Sequence, residues 1–126
     1  MERLIEFRGK DKESGLLVYG SLWVQSERSI LIHSEDGWTF IYPETVGQFT
    51  GLLDWDKNRL FEGDIVEFEK IISGEERAIG EIRFNPAYMK YEIKYHTGNK
   101  NRTTNLWGFR YIKVIGNIHI GLQGEV

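Results

Sequence analysis

Stretch after stretch of this chain alternates apolar and polar side chains with a period of two. That period puts successive side chains on opposite faces of an extended strand, whereas a helix needs spacings of three and four. β-Branched and aromatic residues, which suit a pleated and half-buried surface, fill the same stretches. The predicted strands are Arg3–Arg8, Leu16–Val24, Ile30–Ser34, Trp38–Tyr42, Asp64–Ile72, Ala78–Asn85, Lys90–Tyr95 and Phe109–Ile118. Between them Glu35-Asp36-Gly37, Ser73-Gly74 and Thr97-Gly98-Asn99 carry residues that tolerate tight or left-handed turns, so hairpins are the expected connections. In Asp64–Ile72 and Ala78–Asn85, alternation sets Val66, Phe68 and Ile72 against Ala78, Gly80, Ile82 and Phe84. It leaves Glu67, Glu69, Glu81 and Arg83 to water. The one helical start is Tyr42-Pro43-Glu44-Thr45, where proline fits a first turn and Gly47 ends it soon after. The expected fold class is all-β and antiparallel, with one short helical turn.

A chain of 126 residues buries roughly two-thirds of the surface its unfolded form exposes, enough for a core without staples. We read residues 1–126 as one domain, with two β subdomains, 1–47 and 48–126, as the alternative organisation. Cysteine is absent, which removes disulfides and thiolate metal sites and fits a reducing compartment such as a bacterial cytoplasm. Met1 to Arg8 alternates charged and apolar residues instead of offering the apolar stretch of a signal peptide, and no apolar run approaches the roughly 20 residues that span a bilayer. Neither secretion nor a membrane role is expected. The net charge of −3 hides an asymmetry, because residues 1–81 hold 17 acidic and 9 basic side chains and residues 82–126 hold 2 and 7. Such blocks point to polyanion contact or complementary self-association, although interleaving on one surface is the commoner outcome.

The most distinctive segment runs from Gln48 to Phe68. Gln48-Phe49-Thr50-Gly51-Leu52-Leu53-Asp54 and Leu60-Phe61-Glu62-Gly63-Asp64-Ile65-Val66 form two arms about a polar tip, Trp55-Asp56-Lys57-Asn58-Arg59. Glycine between two acids suits a tight turn, and Asp64 can accept nearby backbone amides before its strand begins. The same acids, Glu62 and Asp64 with Asp54 or Asp56, could instead offer oxygen ligands to a hard divalent cation. Turn formation is the commoner role for acids beside glycine, and no metal site is assigned.

The residues of this segment resemble the YopX family of small proteins from bacteriophages and prophages. The resemblance covers Pro43 to Leu52, Leu60 to Val66, Val114-Ile115-Gly116-Asn117-Ile118, and the opening Glu6 to Lys12. The tip Trp55–Arg59 departs from the family's usual Lys-Asn-Gly type of turn. What the resemblance implies is an all-β protein with an SH3-like barrel in its second part after an N-terminal β subdomain. It also implies a phage or prophage origin, and it carries over no catalytic residue.

No P-loop, dinucleotide-binding glycine fingerprint or nucleophile elbow occurs, and His33, His96 and His119 form no His-Glu-x-x-His pattern. No catalytic residue and no cofactor is assigned. A basic and aromatic region spans residues 90–113, where Lys90, Lys94, Lys100, Arg102, Arg110 and Lys113 are interspersed with Tyr91, Tyr95, Trp107 and Tyr111. Cations could hold a nucleic-acid backbone while Tyr95 and Trp107 stack on bases. The same alternation also describes an ordinary strand with Met89, Tyr91, Ile93 and Tyr95 in the core. Four tryptophans, six tyrosines and seven phenylalanines favour interfaces wherever they lie outside the core, with Trp23, Trp38 and Trp55 as candidates. The leading expectation is a non-catalytic binding or self-assembling β module with a protein partner or a second copy of itself. The second is nucleic-acid binding through Lys90, Lys94, Tyr95, Lys100, Arg102, Trp107, Arg110 and Lys113. The third is a metal-dependent hydrolase using Asp54, Asp64 and His33.

Overall fold

The structure is a computed structural model that describes residues 4–71 and 77–122. Its strands are β1 (Phe7–Lys10), β2 (Leu17–Ser26), β3 (Ser29–Ser34), β4 (Gly37–Ile41), β5 (Gly47–Leu53), β6 (Arg59–Phe61), β7 (Asp64–Lys70), β8 (Ala78–Asn85), β9 (Lys90–Thr97), β10 (Lys100–Asn105), β11 (Phe109–Asn117) and β12 (Gly121–Leu122). They form two antiparallel sheets, so the all-β class expected from the alternation holds. Helix among the described residues is limited to one 3-10 turn, Pro43–Thr45, with proline at its head as expected. Arg3, Ile72 and the predicted turn Ser73-Gly74 lie outside the described residues. No helix among the described residues is long and apolar enough to cross a membrane. The chain forms two compact units, Met1–Gly51 and Leu52–Val126, with β5 running through the boundary.

In the first unit β4, β3, β2, β1 and β5 lie side by side in that order. The turns Glu27-Arg28 and Glu35-Asp36 are each two residues long, since Ser26 pairs with Ser29 and Ser34 with Gly37. Short turns fix the register, and the register decides which residues share a face. One face of β3 and β4 holds Ile32 and Ile41, both fully buried. The far side of β4 is also occupied, because Lys12 N donates to Phe40 O at 3.1 Å and Tyr42 N to Lys10 O at 3.0 Å. Buried Thr45 anchors the 3-10 turn to β1, accepting Lys10 N at 2.8 Å while its hydroxyl donates to Tyr42 O at 2.6 Å.

In the second unit the order is β10-β9-β8-β7-β11-β12. The pairing of β7 with β8 is the one the alternation predicts, with Val66 opposite Gly80 and Phe68 opposite Ala78. The core comprises Leu60, Val66, Phe68, Ile82, Ile93, Tyr95, Leu106 and Ile112. Each aliphatic side chain buried there contributes about 1.5–3 kcal/mol of transfer free energy. Phe68 is the hub, with the Tyr95 ring edge-on at 5.2 Å and the Phe109 ring at 6.0 Å. Gly80 is required by close approach, because a Cβ on it would stand 2.5 Å from Ile93 Cγ2 and 2.7 Å from the Lys94 carbonyl oxygen.

Candidate functional site

The acids of the Gln48–Phe68 segment are turned into the fold. Asp54, buried, accepts Asp56 N at 2.9 Å and Asn58 N at 2.7 Å on Oδ1, and Asn58 Nδ2 at 3.2 Å and Val114 N at 3.0 Å on Oδ2. One carboxylate thereby closes the 54–58 tip and fastens it to β11. Asp64, also buried, accepts Phe61 N at 2.8 Å across Gly63, whose φ of 93° is the left-handed backbone that glycine reaches without a clash. Gly63 N donates to Ile82 O at 2.8 Å and its carbonyl accepts Ile118 N at 2.9 Å, so this corner locks three segments together. Asp56 lies 3.6 Å from Lys113. Among the described residues no group of three or more His, Cys, Asp or Glu side chains is placed to hold a metal ion.

The basic and aromatic residues of 90–113 separate into two sets. Lys90, Lys94, Lys100 and Arg102 lie on the β9–β10 hairpin, whereas Arg110 and Lys113 lie on β11, three strands away from β9 and so about 14 Å distant. Between the sets β7 and β8 carry Glu67, Glu69 and Glu81 on the same face as Lys94 and Lys113. Arg110 sits 3.5 Å from Glu69. Tyr95 is a core residue with 8% of its surface exposed, its ring against Phe68. Glu92, buried in the hairpin, is held by Arg83 Nε at 3.1 Å and Asn85 Nδ2 at 3.3 Å. Lys90 Nζ donates to Asn105 Oδ1 at 2.6 Å. Trp107 is 63% exposed and is positioned by Lys70, whose amine donates to the Trp107 and Asn105 carbonyls and lies 4.4 Å from the Phe109 ring centroid. Burial pushes the Lys70 amine below the ordinary lysine range.

The first unit gathers exposed aromatic rings on one face. In register, Trp23 stands opposite Leu31 and Leu31 opposite Phe40, while Ser21 stands opposite His33 and His33 opposite Trp38. These two rows share a face, the one opposite Ile32 and Ile41. Trp23 on β2 and Trp38 on β4 lean across the intervening β3, bringing their ring centroids to 5.1 Å at an interplanar angle of 59°. The His33 ring lies 4.5 Å from Trp38. Leu31 is buried in the row between Trp23 and Phe40, yet Trp23, Trp38 and Phe40 are themselves 47%, 54% and 52% exposed. Trp55, the third tryptophan singled out from sequence, lies elsewhere, against Tyr111 at 5.8 Å.

Trp23 and Trp38 were named from sequence, but Phe40, Leu31 and His33 as their companions were not. The signal that joins them is the pair of two-residue turns, which sets Trp23, Leu31 and Phe40 in one cross-strand row. The arrangement is suited to binding: a semi-rigid aromatic surface on paired strands, carrying large contact area with little rotamer freedom to lose.

No functionally curated protein matches the chain. The model of the family described as YopX protein matches residues 6–120, nearly the whole length. The match includes the Gln48–Phe68 turn and the Val114–Ile118 strand end, and by it the chain belongs to the YopX family.

Proposed function

We propose that the protein is a non-catalytic binding module that associates with a second copy of itself through the aromatic face of its first unit. The observation that carries this reading is the Trp23–Trp38 pair, ring against ring at 5.1 Å and about half exposed. Tryptophan and tyrosine are concentrated in interfaces and among their energetically dominant residues, and a contiguous exposed apolar patch on a small protein marks an interaction surface. The family membership and the absence of cysteine support a phage or prophage origin and work in the cytoplasm of the bacterial host. The family reading also supports an SH3-like closure of the second unit.

Sedimentation velocity tests the reading. The wild type is expected to gain mass as concentration rises from micromolar to millimolar, and Trp23→Ser/Trp38→Ser to stay monomeric with an unchanged far-ultraviolet spectrum. A wild type that is monomeric throughout overturns it. A second reading, nucleic-acid binding, rests on the β9–β10 hairpin alone, where Lys94, Lys100 and Arg102 occur with no acid between Ile93 and Asn105. Charge-driven binding is strongest at low salt, so an unaltered electrophoretic mobility of single-stranded DNA there overturns it.

A further inference from the structure

We propose that the aromatic face of one molecule receives the β9–β10 hairpin of another, a head-to-tail contact that rests on the self-association reading above. Charge complementarity argues for this occupant. The aromatic face is bordered by its two turns: that between β3 and β4 presents Glu35 and Asp36 to solvent, and that between β2 and β3 presents Glu27 beside Arg28. None of these acids forms an ion pair among the described residues. On the second unit several charges are matched at home: Arg77 with Glu67 and Glu69, Arg83 with Glu92, Arg110 with Glu69, and Lys113 with Asp56. Lys100 has no ion pair among the described residues, and Arg102 lies beside it on the Tyr95 face of the hairpin, whereas Lys94 and His96 lie on the other face, with Lys94 opposite Glu81. The exposed rings thus have the acids Glu35 and Asp36 beside them, opposite in sign to Lys100 and Arg102 on the hairpin.

The chemistry suits both sides. An ammonium or guanidinium over an indole face is attracted by the ring quadrupole, most strongly for tryptophan. The molecule already uses that contact internally, with Lys70 4.4 Å from the Phe109 centroid and Arg77 4.0 Å from that of Tyr111. The hairpin turns in two residues, Gly98 and Asn99, since Thr97 pairs with Lys100. It is thus a narrow projection with Lys100 and Arg102 exposed on the outermost strand of its sheet. A symmetric face-to-face dimer whose axis sets the two β3–β4 turns together would instead confront Glu35 and Asp36 with their own copies, and like charges in apposition cost affinity. A head-to-tail contact leaves one face and one hairpin unused at the ends, so it extends to rings or chains.

Complementation tests the inference. Trp23→Ser/Trp38→Ser removes the face and Lys100→Glu/Arg102→Glu inverts the hairpin, all at exposed positions. Circular dichroism melts of each variant check that the fold persists. Each variant alone is expected to sediment as a monomer, and an equimolar mixture is expected to give a heterodimer that grows no further, because only one intact face meets one intact hairpin. Added salt should weaken it. If the hairpin variant associates like wild type, the contact is face to face and this inference falls while the binding-module reading stands. A mixture that stays monomeric also overturns it. So does single-stranded DNA binding at low salt that the hairpin variant loses while wild-type mass never rises, a result that assigns the hairpin to nucleic acid. A wild type that never associates removes the underlying reading itself.

Discussion

The Asp54 carboxylate accepts the Val114 amide at 3.0 Å across 60 positions of sequence, while its other oxygen holds the amides of Asp56 and Asn58. A side chain that looks like a ligand is thus a clamp between a turn and a distant strand. Asp54→Ala strands three backbone donors in a partly buried setting, and water can reach some of them. We expect a loss of about 2–3 kcal/mol, read from the urea midpoint, with Asp54→Asn losing less because one oxygen is retained. A loss that excess magnesium reverses would return Asp54 to a metal role.

Gly80→Ala should cost about 1–3 kcal/mol, the usual range for overpacking. The added methyl would meet Ile93 Cγ2 at 2.5 Å and the Lys94 carbonyl oxygen at 2.7 Å, and the second of these is backbone of the paired strand. Relief requires β8 and β9 to separate, so amide exchange in Ile82 and Ile93 should accelerate with the fall in stability. Wild-type exchange at both positions would mean that the strands yield without cost.

The class of the fold was legible in the sequence because half-buried antiparallel strands write their faces as alternation. Ala78–Asn85 emerges with its predicted bounds, having Ile82 and Phe84 inward and Arg83 outward. β10 was missed for the opposite reason: Lys-Asn-Arg-Thr-Thr-Asn offers no apolar face, and as the outermost strand of its sheet it is specified by pairing with β9 alone. Its charges are of the kind that guard a sheet edge. Asp64 was rightly read as a turn-former, but Asp54 was named only as a possible metal ligand, and its reach to Val114 is a tertiary contact that no local pattern encodes. Tyr95 shows the limit of composition, since a tyrosine among lysines reads equally as a stacking platform or as core, and only its contact with Phe68 decides. The aromatic face was half legible: the aromatic content named Trp23 and Trp38 as interface candidates, whereas their exposure and their meeting over β3 depend on register.

Arg83 and Glu92 make the clearest coupled pair in the second unit. The Glu92 side chain is 4% exposed and that of Arg83 is 41% exposed. Removing the arginine leaves a buried carboxylate with Asn85 as its remaining side-chain donor at 3.3 Å, and Arg83→Met should destabilise by about 1–3 kcal/mol. Arg83→Met/Glu92→Met replaces both charges by apolar groups and should recover most of that loss, since a buried pair is often no better than its hydrophobic replacement. Thermal unfolding of the two variants and of Glu92→Met completes the cycle, and strict additivity would show that the charges do not communicate.

The turn after β1 supplies a pH-dependent contribution whose sign follows from its donors. The Asp11 carboxylate accepts the Glu13 amide at 2.9 Å and the Ser14 hydroxyl at 2.9 Å, and these bonds hold it below its ordinary pKa of 3.8, the amide having the larger effect. Because the folded-state pKa is depressed, the ionised form is favoured by folding. The stabilisation is fully present above the unfolded value of 3.8 and is lost as pH falls from there through the lower folded value. Carboxyl carbon shifts should place the Asp11 midpoint below that of an unstructured aspartate. Ser14→Ala should move it partway back toward 3.8, leaving the share owed to the Glu13 amide. A midpoint that Ser14→Ala leaves in place would mean that the hydroxyl donates to water in solution and that the backbone amide alone lowers it.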